Sequence, residues 1–363
     1  MPIRYTPPDF TAPALAKAPP AQTARVERDG VLPDGFFATT NLPTYVKNAD
    51  GSWVLPREPR MDGVLVRGEG NSWWVREGRR VKAGDAVVVG SAEDGREGVL
   101  VHARGFAGEA GADGDFHFMS SAVSREKPID YTQIARMLVE EKRRGGYVLW
   151  VTGPALVHSR ARDNLVWFIR NGYVQALLAG NAVAVHDIEA ATVGTTLGMT
   201  SEGEPTAGGH SAHMRAINAV RRAGSIEAAV EHGAITEGIM HACVVEGVPF
   251  VLGGSIRDDG PLPGVYTDAV QAQDATRQHT IKATMAVMIA TALHSIAVGN
   301  MLPAYYEDAQ GGLQELPTIC VDASEFLVSK LKDRGTHQAI GVVTNAQDFM
   351  SILRAAVEKA VTD

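Results

Sequence analysis

The chain has 363 residues, 45% hydrophobic and 21% charged, the profile of a globular protein with a substantial core and one large or two ordinary domains. Its 34 basic and 42 acidic side chains leave a net charge of −8, which argues against a nucleic-acid partner, because that role needs a basic face. Cys243 and Cys320 are the only cysteines; they exclude a disulfide framework or a cysteine-based zinc site and suit a reducing cytoplasm.

Residues 1–35 are rich in Pro and Ala and lack the continuous apolar core of a signal peptide. They read as a poorly ordered or surface-draped extension. From residue 36 to about 125, short valine-rich runs ("GVLV", "SWWV", "AVVVG", "GVLVHA") alternate with turn-forming clusters such as "RGEGN" and "SAEDGREG". That spacing predicts strands of a small barrel or sandwich.

The texture changes near Asp130. "DYTQIARMLVEEKRRGG" has a capping aspartate, apolar residues at helical spacing (Ile134, Met137, Leu138), a basic end and then glycines. Strand and helix patterns then alternate. "YVLWVTGPAL" reads as a strand entering a turn, "RDNLVWFIRNGYV" as a helix and "NAVAVHDIE" as a strand. "SIEAAVEHGAITEGIMHACVVEG" reads as one or two helices, and "VPFVLGGSI" as a strand. Residues 269–298 read as mainly helical with a break, and "PTICVDAS" and "AIGVVTN" as strands each followed by a helix. The alternation predicts an α/β fold: a Rossmann-like parallel sheet domain at 129–363, preceded by a smaller N-terminal β-barrel-like domain at 36–128. The longest apolar run, "ATMAVMIATALHSIAVG" at 283–299, is interrupted by Thr291, His294 and Ser295. It falls short of the roughly 18–20 clean residues of a membrane span, so it reads as a buried helix, one able to serve an interface in a homo-oligomer.

Ligands of open parallel sheets bind beyond the carboxyl ends of the strands. The loop "GGSIRDDGPLPGVYTDA", 253–269, follows such a strand. Gly253 and Gly254 permit close approach or a positive φ. Arg257 suits a carboxylate. Asp258, Asp259 and Asp268 suit an ammonium group or a proton-accepting role. "VTGPALVHS" also follows a strand and can present backbone N–H groups to a phosphate, although it is not G-x-G-x-x-G. Asp322 ends a strand just before a helix, where it fits a ribose hydroxyl or an ordinary N-cap. Asn181 is placed at a strand entry and Asp187 at its end. His210 and His213 stand three apart without a third ligand of fixed geometry, so no metal is expected. Gly299, Asn300 and Pro303 look like the end of a helix, and Cys243 like core.

Several longer segments share a pattern. "NLPTYVKNADGSW", "PRMDGVLV", "FHFMSSAVSREKP", "GPALVHS", "GNAVAVHDIEAATVGTTLG", "GSIRDDGPLPGVYTDA", "LHSIAVGNMLP" and "RGTHQAIGVVTN" together resemble the archaeal and cyanobacterial-type ornithine cyclodeaminases, the LOR/SDH conserved-region family. The resemblance covers about residues 36–350. It departs from the pattern in reading "VDASE" where "VDINP" is expected, and no fused arginine-dihydrolase domain is expected. The resemblance implies a tightly bound NAD and conversion of L-ornithine to L-proline with loss of ammonia. The NAD takes hydride from the substrate Cα and returns it to a cyclic imine. Carried over by motif, the cofactor contacts are Asn181, Ala182, Asp268, Gly299, Asn300, Met301, Leu302, Asp322, Thr344 and Asn345. The chemistry needs a carboxylate binder, Arg257 or Arg60, and a base, Asp258 or Asp259. Lys127 and His294 are further participants to weigh against packing roles. Two other functions fit the same features: an NAD-dependent dehydrogenase of another basic amino acid or a saccharopine-like adduct, and a non-catalytic NAD-binding protein.

Overall fold

The structure is a computed structural model and describes residues 5–106, 129–200, 204–334 and 339–362. The chain forms two compact units. One gathers the N-terminal part and Gly299–Pro317; the other holds Ser121–Val298, Thr318–Asp333 and Ala339–Asp363.

The first unit is antiparallel. A four-stranded sheet orders Thr23–Arg25, Ala86–Val88, Val64–Arg67 and Trp73–Arg76. A three-stranded sheet joins Trp53–Val54, Thr44–Lys47 and Val99–Val101. Side chains alternate across the pleat. Leu65 therefore enters a core with Phe37, Val46, Trp73, Val75, Val88 and Val99, while Val64 and Val66 join Val26, Val81 and Val87 on the opposite face. Residues 5–35 are not a loose extension. Thr23–Arg25 pairs with Ala86–Val88, Tyr5 packs against Phe106, and Lys47 Nζ donates to the carbonyls of Leu15, Ala16 and Ala18 at 2.8, 2.9 and 2.8 Å. The hairpin Tyr305–Glu307 and Leu313–Glu315 belongs here too, with Tyr305 and Leu313 in one cluster with Tyr5 and Tyr45.

The second unit is built on six strands: β1 Val148–Thr152, β2 Ala176–Gly180, β3 Phe250–Gly253, β4 Met285–Ile289, β5 Thr318–Asp322 and β6 Ala339–Val343. All pairings are parallel, in the order β3-β2-β1-β4-β5-β6. Every residue of β1 and β4 is buried, as expected of central strands covered on both faces. Asp130 caps the helix Tyr131–Arg143 by accepting from Gln133 N at 2.9 Å. Ile134 and Leu138 of that helix enter the core with Phe349 and Leu353 of the final helix, Ala346–Thr362.

Two expected elements differ. "NAVAVHDIE" is not a strand but the start of helix α1, Asn181–Val193; the strand is the preceding Ala176–Gly180. α1 buries Val183, Ala184 and Val185 in succession, so neither the two-residue nor the 3.6-residue period stands out in its sequence. The apolar run 283–299 is not one helix. It is β4 followed by helix α2, Ala292–Met301, and the chain turns at Ala290, whose φ is 55°. Gly299 and Asn300 accordingly lie inside the last turn of α2 rather than capping it.

Candidate active site

The winding of the second unit reverses between β1 and β4, the switch point at which open α/β sheets take ligands. The two connections there are pressed together. A Cβ on Gly153, just after β1, would overlap the carbonyl of Ala290, just after β4. Around this point lie polar atoms that are buried and without a hydrogen-bond partner: Thr152 Oγ1 at the end of β1, His158 Nδ1 and Ser159 Oγ after it, and Ser295 Oγ on α2. Buried polar groups are rarely left so. A ligand carrying phosphate and ribose oxygens would satisfy both hydroxyls and backbone N–H groups of these turns.

The carboxyl ends are in register. Gly253 of β3 pairs with Gly180 of β2, and Asp322 of β5 with Val343 of β6. Asn181 thus opens α1 directly beyond β2. It is 5% exposed, and its Oδ1 accepts from Leu262 N at 3.0 Å. That bond pins the acidic loop by its middle. Gly254 N donates to the Tyr266 carbonyl at 2.8 Å, closing the loop at its base. Gly253 and Gly254 are therefore required for close approach, not for a positive φ. The loop tip faces outward. Arg257 and Asp259 are exposed, and Asp258 Oδ2 accepts from Ser255 N at 2.8 Å. Asp268 is exposed and caps the helix Ala269–Thr280 through Gln271 N at 2.8 Å.

At the other end of the sheet, Asp322 Oδ1 accepts from Ser324 N at 2.9 Å, and its carbonyl accepts from Thr344 N at 3.0 Å. Asp322 and Thr344 are thereby held side by side. Asn345 Oδ1 accepts from Asp348 N at 2.9 Å and caps the final helix.

The structure thus brings Asn181, Ala182, Asp322, Thr344 and Asn345 to one edge of one sheet. Arg60 and Gly299–Leu302 belong to the first unit. There Arg60 is 8% exposed and paired with Glu77 at 2.6 Å. Asn300 accepts from Met61 N through its carbonyl at 3.1 Å and reaches Asp62 Oδ2 at 3.2 Å through Nδ2; its Oδ1 is buried and unpartnered. Lys127 lies outside the described residues. Asp187 is structural: fully buried, it accepts from Arg162 Nε at 2.7 Å and from the N–H groups of Ile239 and Met240. A cavity of about 610 Å³ in the first unit, lined by Tyr5, Tyr45, Glu307 and Asp308 among others, contains none of the expected site residues.

Sequence reasoning singled out the "VTGPALVHS" turn with Thr152 and Gly153, but passed over Ser295. The signal for Ser295 was topological, since only the pairing of β1 with β4 brings the turn after Gly153 against Ala290 and Thr291, just before α2.

Fold and site together define a Rossmann-type nucleotide-binding protein. Family models agree: residues 132–353 match the Rossmann-fold region of the arginine dihydrolase ArgZ-like C-terminal module, and residues 43–132 its first region. The chain belongs to this ArgZ-like family. An ornithine cyclodeaminase of Methanopyrus kandleri is 44% identical over 340 residues, 92% of this chain and 78% of the relative. The crystal structure of a conserved LOR/SDH protein from Methanococcus maripaludis superposes with a TM-score of 0.81 at 39% identity, covering 95% of this chain and 99% of that one. The ternary complex of AgrE with ornithine and NAD+ gives a TM-score of 0.59 at 36% identity, over 95% of this chain and 47% of that one.

Proposed function

We propose that this protein is an ornithine cyclodeaminase that converts L-ornithine to L-proline and ammonia with NAD+ as a recycled cofactor. The observation that carries the reading is 44% identity across 92% of the chain to a curated enzyme of that name. The unpartnered polar atoms at the switch point support a dinucleotide there.

Bound NAD+ would supply the hydride acceptor and donor that lets the substrate Cα pass through an imine and back. The chain's own residues hold and orient. Asn181 and Ala182 receive the cofactor at β2, and Asp322, Thr344 and Asn345 at β5 and β6. Asp322 Oδ1 is engaged by Ser324 N, which fixes the carboxylate and leaves Oδ2 to meet a ribose hydroxyl. Asp268 and the segment Gly299, Asn300, Met301 and Leu302 complete the cofactor contacts by motif. Arg257 takes the substrate carboxylate, because Arg60 is already committed to Glu77. Asp258 and Asp259 attract the ammonium groups of the substrate, and Lys127 stands as a further participant. The protein is cytoplasmic and homo-oligomeric in this reading, without nucleic-acid or membrane partners. Two buried free cysteines and a net charge of −8 support the first and third of these. Among the described residues no helix is long and apolar enough to cross a membrane.

The test is purified protein with 13C-labelled L-ornithine. Labelled proline and ammonia should form in equal amounts with no rise in NADH absorbance. Accumulating NADH, or no consumption of ornithine, contradicts the reading.

A further inference from the structure

The acids of the loop 253–269 are not the only groups at the sheet's carboxyl edge. His294, on α2 just beyond the switch point, reaches across it. A Cβ on Gly180 would come 3.0 Å from His294 Cε1, and one on Gly253 would come 3.2 Å from Nε2. These two glycines are register partners at the ends of β2 and β3, and neither has a positive φ. They are kept small by the ring lying over them. The imidazole therefore rests on a floor of two strand ends, half-buried and partly open.

Three other histidines are engaged: His102 meets Tyr5, His279 meets Tyr147 and His186 meets Glu189. Among the described residues His294 has no hydrogen bond or ion pair. Burial holds its pKa below the ordinary histidine value, and no neighbouring charge contributes to the shift. At neutral pH the ring is thus uncharged, with one nitrogen lone pair free to accept a proton.

We infer that His294 is the catalytic base that takes a proton from the α-ammonium group of the amino-acid substrate. The inference rests on the cyclodeaminase reading. An N–H bond of the ammonium breaks, an N–H bond to the imidazole forms, and the positive charge passes to the ring. The neutral amine then uses its lone pair to make the C=N bond as the Cα–H pair leaves as hydride to the nicotinamide dinucleotide. The δ-ammonium group gives one proton to water, and its freed lone pair forms the Cα–Nδ bond; the imidazolium then returns its proton to the α-nitrogen, the Cα–Nα bond breaks and ammonia leaves. A partly enclosed neutral imidazole suits both transfers, because one ring nitrogen can take the proton and give it back without the ring leaving its place.

The experiment pairs His294→Gln with a measurement on the unaltered enzyme. His294→Gln should lower kcat by about 10²–10³-fold, the weight of a positioned base, with KM for ornithine changed less than about threefold and NAD+ affinity retained. The second readout needs no turnover. In enzyme loaded with NADH, which accepts no hydride, 15N-histidine NMR should show the His294 ring-nitrogen resonances shifting when L-ornithine is added, as the free lone pair takes up a hydrogen bond from the α-ammonium group. The resonances are assigned by their loss in His294→Gln. Ring resonances unmoved at saturating ornithine, or a variant within about threefold of wild-type kcat, overturns the inference. Wild-type enzyme that makes no proline defeats the cyclodeaminase reading and the base with it. Proline formation by wild type alongside an equally fast variant defeats the base alone.

Discussion

Single residues set what the switch point can hold. Gly153 has no room for a side chain, because its Cβ would meet the Ala290 carbonyl, and Ala290 already sits at a φ of 55°. Backbone rather than a flexible side chain opposes the added methyl, so relief requires the β1 and β4 ends to part. Gly153→Ala should destabilise the protein by about 1–3 kcal/mol, seen as a lower urea midpoint at unchanged slope. An unchanged midpoint contradicts the close approach. At the loop tip the two roles for Asp259 separate kinetically. As an exposed charge that attracts the substrate, its change to Asn should raise KM about two- to fivefold and leave kcat alone. As the base read from sequence, it would cost about 10²-fold or more in kcat, which steady-state kinetics would show at once.

Elements decide where a buried charge can sit. α1 carries Glu189, whose side chain is fully buried. It accepts from Thr195 Oγ1 at 2.9 Å, Gly198 N at 2.9 Å and Leu197 N at 3.2 Å, and meets His186 Nδ1 at 3.2 Å. Burial pushes this carboxyl upward, but the hydrogen bonds from His186, Gly198, Thr195 and Leu197 outweigh it and hold the pKa below the ordinary glutamate value. A depressed folded value means the stabilisation is present above the unfolded pKa, about 4.3, and is lost as pH falls through the folded value. Hydrogen exchange at the Leu197 and Gly198 amides should therefore quicken, relative to their intrinsic rates, only once the pH falls below the ordinary glutamate range. Glu189→Gln should lower protection at pH 7 and abolish that acid dependence; a variant with wild-type acid dependence contradicts the assignment. None of this was legible in sequence, since α1 was read as a strand. Where start and stop chemistry is local, reading succeeded: Asp130 caps its helix as expected, and "VPFVL", "PTICVD" and "AIGVV" are strands. Where burial surrounds an element on all sides, as in α1 and in β4 with α2, periodicity carries no direction. Length and tertiary packing then decide.

At the scale of the molecule, the sequence shows two textures but not the return of the chain. Gly299–Pro317 follows β4 and α2 in order, yet it joins the N-terminal unit, where Tyr305 and Leu313 pack with Tyr5 and Tyr45. Such contacts span some three hundred residues and leave no local pattern. The expected site residues divide the same way, with Asn181 and Asp322 in one unit and Arg60 and Asn300 in the other. The family resemblance supplied what periodicity did not, by offering Asn181, Asp322 and Asn300 as expected cofactor contacts. The parallel order β3-β2-β1-β4-β5-β6 puts the switch point, where open α/β sheets take ligands, between β1 and β4.

The central claim is that hydrogen removed from the substrate Cα is kept by the enzyme and returned to the product. L-ornithine deuterated at Cα, turned over in ordinary water and analysed by mass spectrometry and NMR, reads this directly. Proline that retains its deuterium at Cα, with none appearing in released NADH, is the predicted result. Proline carrying solvent hydrogen at that carbon would contradict the account.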